Sequence, residues 1–366
     1  MIRSRSLLRL AAVGLPLLGV LALTVSTHRS AAHAEPAPKL PTAEQMSAFR
    51  TKVRYTPQTF EMKVGPQVKV GGRLLVCTLT FPSPYKSVAP DPNDTVRGKL
   101  LHLAEPEKAA VIVIGGWRRD PLTPRLAMLL AETGVQVVYL QIPFQERRTP
   151  KGQWPGALTF SADLKQNIAT FEQISLDIGR AREWLIRVRK IDPKRVGIMG
   201  TSLGGFAAAT LYGMSDDFHC AGIMLAGANV ADVVFNGNRL TQRIRAELLK
   251  QGLDKETVSK RLALLEPITW ADKKRKDGLF LLAAENDTVV PLASVNALAK
   301  AYGGATVSVI PDVAHIAPQA VQEHFPKVAA HFAKILAPDR KKTATPGSKP
   351  KQDPPKKTDP DAPATK

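Results

Sequence analysis

Cysteine is almost absent: two residues, Cys77 and Cys220, stand in a chain of 366. A pair so far apart is no disulfide framework, and each lies in a strand-like apolar run, so separate buried thiols are expected. The seven histidines are scattered and no Cys and His cluster occurs at ligand spacing, which leaves no metal site to expect. No glycine-rich loop precedes a lysine as a phosphate cradle does, so no cofactor is implied. Beyond residue 27 no apolar run is long enough to span a bilayer. The basic residues show neither a nucleic-acid motif nor interleaved aromatics, which sets nucleic acid aside as a partner. No internal repeat is found.

The two ends of the chain differ in composition from its body. Residues 1–34 carry a basic head (Arg3, Arg5, Arg9), an uncharged stretch from Leu10 to Thr27, and Ala32-His33-Ala34, with small residues at both cleavage positions. This is the pattern of an export signal, so a periplasmic or secreted location without stable membrane insertion is expected after its removal. An uncleaved N-terminal anchor is the competing reading, because the uncharged stretch approaches the lower limit for a span; Pro16 and the A-x-A site favour removal. Residues 338–366 hold seven prolines, eight basic and four acidic residues, with no apolar side chain larger than alanine, a composition expected to stay disordered. Net charge is +19, with +4 in each of these end segments and +11 on the body. Such basicity can draw acidic polysaccharide, lipid headgroups or anionic substrates, or simply maintain solubility, and the latter is favoured.

Between the ends, residues 35–57 form an N-terminal segment with a short helix near Ala43 to Val53, and residues 58–337 read as one α/β domain. Alternating apolar residues over 58–82, with Gly71-Gly72 as a turn, predict antiparallel edge strands. A loop over 82–93 and a strand over 96–103 follow. The β-branched run Ala109 to Ile114 suits a strand buried on both faces, and a helix over 122–133 with a strand over 135–140 completes a βαβ unit. From Ala162 to Lys190 the apolar residues Phe171, Ile174, Ile178, Ala181, Leu185 and Val188 recur at helical spacing. Further strands are expected at 195–199, 220–225, 279–283 and 306–310, with helices over 206–211, 292–302 and 318–336 and a helical insertion over 227–277. Strands alternating with helices imply a mostly parallel sheet covered on both faces.

Gly200-Thr201-Ser202-Leu203-Gly204 sits between a strand and an alanine-rich helix. That is the setting of a nucleophile elbow, in which the positions two before and two after the serine must be nearly free of bulk; here they are Gly200 and Gly204. A serine hydroxyl is a poor nucleophile near neutral pH and needs a base, itself oriented by an acid. The strand over 279–283 runs into a loop carrying Asp287, and the strand over 306–310 into one carrying His315. Glu285 is the rival acid, whereas His324 and His331, within the last helix, read as structural. Charge developing on a substrate oxygen calls for two N–H donors. The backbone of Leu203 is one candidate, and Trp117, after Gly115-Gly116, is the other. Arg147 and Arg148 can hold a carboxylate or phosphate, or brace neighbouring carbonyls and acids, and bracing is favoured. The basic residues of the 227–277 insertion, Arg239, Arg243, Arg245, Lys250, Lys260 and Arg261, suit either an acidic substrate or a solvated outer face.

The elbow, acid loop, base loop and Gly-Gly turn together resemble the α/β-hydrolase superfamily, in which the chain order Ser202, Asp287, His315 is the expected one. Within it, Ile142 to Gly152 followed by a long helix is similar to the α/β-hydrolase domain-containing branch with a Pro-Tyr-x-x-Arg-Arg-x-Pro-type loop. Here Phe144 takes the tyrosine-like position and Gly115-Gly116-Trp117 stands where many relatives carry His-Gly. The resemblance implies an α/β-hydrolase fold with residues 227–277 as a lid, and a serine hydrolase cleaving a carboxylic ester of a small molecule or carbohydrate, with an acetyl or short acyl group. A peptidase or amidase on the same framework is the second reading. A non-catalytic binding protein that retains the fold is the third.

Overall fold

The computed structural model describes residues 41–337 apart from Arg119, Arg239 and Ile316; the export-signal and tail readings lie outside them. Helix α1 (Ala43–Val53) begins at a capping box: Gln45 N–H donates to the Thr42 hydroxyl at 3.2 Å and Thr42 N–H to the Gln45 side chain at 2.9 Å. Strands β1 (Lys63–Val64) and β2 (Val68–Val70) pair antiparallel with β3 (Leu74–Pro82). The expected loop over 82–93 contains one helical turn, α2 (Pro90–Asn93), before β4 (Thr95–His102).

The central unit follows as β5 (Ala110–Ile114), α3 (Thr123–Glu132), β6 (Gln136–Leu140), α4 (Leu164–Arg187), β7 (Val196–Thr201), α5 (Leu203–Met214) and β8 (Cys220–Met224). The insertion folds as α6 (Val230–Asn236), α7 (Gln242–Lys250) and α8 (Lys255–Arg261), followed by two 3-10 turns. After it come β9 (Leu279–Ala284), α9 (Leu292–Ala301), β10 (Val307–Ile310), α10 (Pro318–Gln322) and α11 (Phe325–Leu336).

These strands form one sheet in the order β1-β3-β4-β6-β5-β7-β8-β9-β10, with β2 on β3. Pairing is antiparallel as far as β4–β6 and parallel from there to β10. All five residues of β5 are buried, because alternate side chains enter cores on opposite faces. Ile112 and Ile114 join α4 and α5 residues on one side; Val111 and Val113 join α3 and α11 residues on the other.

Two sequence expectations change here. Val188 is exposed rather than part of the α4 packing face, because it lies at the C-cap, past the last turn. The single helix expected over 318–336 is two, with His324 as the N-cap of α11 instead of a mid-helix residue. Pro326 explains the break, since it has no N–H to donate to a carbonyl one turn back and is tolerated only in a first helical turn. Cys77 and Cys220 are both buried and unpaired, and burial pushes the Cys220 thiol up.

Candidate active site

The parallel strands deliver their loops to one edge of the sheet, where Ser202 follows β7 directly. Its backbone is left-handed in φ (φ 51°, ψ −120°), a conformation that costs a non-glycine residue of order 1–3 kcal/mol and has to be enforced by its neighbours. Enforcement comes from Ser202 N–H donating to the Met224 carbonyl at 2.8 Å and from the two glycines. A Cβ on Gly200 would overlap the Gly204 backbone, and one on Gly204 would overlap the Gly115 carbonyl oxygen. The elbow is thus tight on both sides, and the second contact ties it to the loop after β5.

The loops after β9 and β10 are locked together before they reach the serine. Glu285 N–H donates to Ile310 O at 3.0 Å, Asn286 N–H to Val313 O at 2.9 Å, and Asp312 N–H to the Glu285 carboxylate at 3.0 Å. Glu285 is therefore a brace for the loop that carries His315, and Asp287 is the carboxylate that meets the imidazole. Asp287 Oδ1 accepts from the N–H groups of Val289 and Val290, both at 2.8 Å. Its Oδ2 lies 2.6 Å from His315 Nδ1, and His315 Nε2 lies 3.0 Å from Ser202 Oγ. Asp287 and His315 are buried while Ser202 is half-buried. With the Nδ1 proton directed at the carboxylate, Nε2 is free to accept from the serine hydroxyl. His331 instead uses Nε2 on the Gly278 carbonyl, at 3.1 Å, a structural bond.

Leu203 N–H is one of the orphan donors at the start of α5, and among the described residues no acceptor engages it or the Trp117 N–H. The N–H of Gly116 is spent, since it donates to Asp120 Oδ2 at 2.7 Å. Asp120 also accepts at Oδ1 from Leu122 N–H (2.9 Å) and Thr123 N–H (3.1 Å). The Thr123 hydroxyl bonds the same carboxylate and contacts the Thr201 hydroxyl at 2.9 Å, next to Ser202. Asp120 thereby connects the Gly-Gly turn to the strand that ends at Ser202. The sequence reading missed it, because an acid just before a helix looks like a cap and its bond to Gly116 forms only when the turn closes. The Trp117 side chain anchors the same turn from the other side, its indole N–H donating to Gly156 O at 2.8 Å. Tyr139, whose hydroxyl lies beneath Gly115, is pushed up by burial first and then by Glu146 and Asp120, so the phenol stays neutral.

Arg147 and Arg148 are not brought to this site. Arg148 is 1% exposed and directs its guanidinium at Asn93 O (2.8 Å), Gln141 O (2.8 Å) and the buried Asp177 carboxylate (2.9 Å). Arg148 takes the bracing role that the sequence favoured over substrate binding, since each of its three guanidinium nitrogens already donates within the protein. Arg147 is exposed and lines no part of the cavity beside Ser202. That cavity, about 370 Å³, is lined by Gly116, Trp117, Ser202, Leu203 and His315 together with insertion residues including Val230, Val233 and Val234. The insertion's described basic residues stay off the cavity wall; Lys250 and Lys260 pair locally with Glu247 (3.7 Å) and Glu256 (2.5 Å) on exposed surface. Glu266 holds the start of α6 by accepting from Asn229 and Val230 N–H at 2.7 and 2.8 Å, and burial raises its pKa.

Solved structures share this arrangement of strands. Acetyl xylan esterase 1 from Thermoanaerobacterium sp. JW/SL YS485 superimposes with a TM-score of 0.61 at 18% identity, covering 82% of this chain and 96% of that one. An acetyl xylan esterase from Paenibacillus sp. R4 gives 0.57 at 15% identity, over 78% and 92%. The chain has the α/β-hydrolase fold. The uncomplexed acylaminoacyl peptidase of Pyrococcus horikoshii gives 0.50 at 15% identity, over 76% of this chain and 42% of that one. Residues 165–338 match the prolyl oligopeptidase family (Peptidase_S9), a span that contains Ser202, Asp287 and His315. No curated protein matches the chain. Among the described residues no helix is long and apolar enough to cross a membrane.

Proposed function

We propose that the protein is an exported serine hydrolase that cleaves a carboxylic ester through an acyl-enzyme. The observation that carries the reading is the continuous chain from Asp287 through His315 to Ser202, with bonds of 2.6 and 3.0 Å. Ser202 Oγ attacks the ester carbonyl carbon while His315 Nε2 takes the hydroxyl proton, and Asp287 stabilises the imidazolium. The N–H groups of Leu203 and Trp117 receive the oxyanion, each such donor supplying roughly 3 kcal/mol. Collapse breaks the ester C–O bond, and the alcohol leaves with the proton from His315. Water then attacks the acyl-enzyme with His315 as base, releasing the acid and restoring Ser202.

An ester is favoured because the cavity wall offers little for a peptide: apart from Arg118, its charged residue, Asp120, is fully engaged with backbone N–H groups. The fold relatives titled acetyl xylan esterase agree with an ester. The Peptidase_S9 match favours the second reading, an amidase or peptidase on the same triad. Helices α6 to α8 serve as the lid. The wild-type protein is expected to turn over acyl p-nitrophenyl esters but not aminoacyl amides, and Ser202→Ala to lose both turnover and fluorophosphonate labelling while remaining folded. Persistent labelling of that variant would remove Ser202 from the role, and preferred turnover of amides would select the second reading.

A further inference from the structure

We propose that the cavity beside Ser202 is an acyl-chain site, and that the substrates are esters of medium-chain aliphatic acids rather than acetyl esters. The proposal rests on the serine hydrolase reading and specifies which side of the scissile bond fills the cavity. Its walls are aliphatic and aromatic: Ile174 of α4, Phe206 of α5, Val233 of α6, Leu265 after α8, and Val289 and Val290 beside Asp287. Val233, Val289 and Val290 pack as one apolar cluster with Phe206 and Leu240.

The polar residues in the wall are spent on the protein itself. The Asn167 amide donates to Ser161 O and accepts from Ser161 N–H, both at 2.9 Å. The Thr159 hydroxyl donates to Pro143 O at 2.7 Å and the Thr170 hydroxyl to Leu158 O at 3.1 Å. Arg118 is exposed and stacks on the Trp117 ring, 4.6 Å from its centroid. The Thr241 hydroxyl is buried without a partner and is the exception. A sugar placed inside would leave most of its hydroxyls desolvated and unpaired, whereas a hydrocarbon chain would leave nothing unpaired. The alcohol half of the ester therefore stays at the mouth. Attack by Ser202 bonds the acyl carbonyl carbon to Oγ, the ester C–O bond breaks, and the alcohol departs outward with the proton held on His315.

Size sets the chain length. At roughly 30 Å³ per methylene-sized group, taken as the volume of a water molecule, the 370 Å³ cavity holds about twelve groups. Part of that volume belongs to the carbonyl and the mouth, so the best fit is an acid of about eight to ten carbons.

The test is a series of p-nitrophenyl esters from acetate to palmitate on the full-length protein, with fluorophosphonate labelling of the same preparation. From acetate upward, kcat/KM is expected to rise about fourfold per methylene, the worth of one buried CH2, peak near octanoate or decanoate, and fall by palmitate. Val230→Phe, at a half-buried wall position, is expected to move the peak to shorter acids, and Leu265→Ala to longer ones. A labelled, active enzyme with its maximum at acetate, or with no dependence on length, overturns the acyl-chain site and leaves the hydrolase reading standing. Absence of both labelling and turnover overturns both.

Discussion

Replacing Asp287 with Asn changes one atom in the buried chain behind Ser202, and its effect follows from the bonds the carboxylate makes. Oδ1 accepts two backbone N–H groups at 2.8 Å, from Val289 and Val290, so in the variant the amide oxygen is held on that side. The amide NH2 then occupies the place of Oδ2, 2.6 Å from His315 Nδ1. A donor facing Nδ1 forces the imidazole proton to Nε2, and Nε2 can no longer accept from the Ser202 hydroxyl 3.0 Å away. A wrong tautomer of this kind lowers kcat by roughly 10⁴, equivalent to about 5 kcal/mol of barrier. Both loop bonds survive, so Tm is expected to stay within about 3 °C, the shift that accompanies roughly 1 kcal/mol in a large domain. Ester turnover and the rate of fluorophosphonate labelling should fall together. A folded Asp287→Asn protein within tenfold of wild-type turnover would refute the role assigned to this carboxylate.

Other perturbations test separate parts of the account. Asp120→Ala frees the Gly116 N–H and loosens the turn that presents Trp117, so kcat is expected to drop by up to about 10² with KM nearly unchanged, visible in steady-state kinetics. Gly200→Ala places a methyl against the Gly204 backbone and is expected to cost about 3 kcal/mol or more, read from urea unfolding. Arg148→Met leaves the Asp177 carboxylate buried without its partner and is expected to cost about 3–5 kcal/mol, with Arg148→Met/Asp177→Leu recovering much of it; Arg147→Ala should leave turnover within twofold. Protein recovered from the periplasm or medium is expected to begin at Glu35, and an intact N-terminus on membrane-bound protein would support the anchor instead.

What was legible in the sequence is what local sterics and periodicity encode. The β5 run Ala110–Ile114 needs two cores because alternate residues point to opposite faces, and the elbow glycines mark a place where backbone touches backbone. Chain order brought Ser202, Asp287 and His315 into consideration together, since each follows a strand of the parallel half of the sheet. Long-range choices were not legible. Arg147 and Arg148 are identical neighbours in the sequence, and only the fold turns one to solvent and the other onto Asp177, 29 residues away in the chain. Asp287, the side chain that faces His315, was preferred to Glu285 only by its place deeper in the loop, whereas the break at His324 depends on whether Pro326 falls inside a helix or in its first turn. Asp120 was hidden because its capping bonds to Leu122 and Thr123 are local, while its bond to Gly116 appears only when the turn closes.

In the proposed mechanism Ser202 carries the acyl group during turnover. Protein quenched in acid after mixing with a slowly deacylated ester, then digested and weighed by mass spectrometry, is expected to carry the acyl mass on the peptide containing Ser202, with none on Ser202→Ala. An active enzyme whose label sits on another residue, or which turns over without any acylated peptide even when deacylation is slowed, would contradict it.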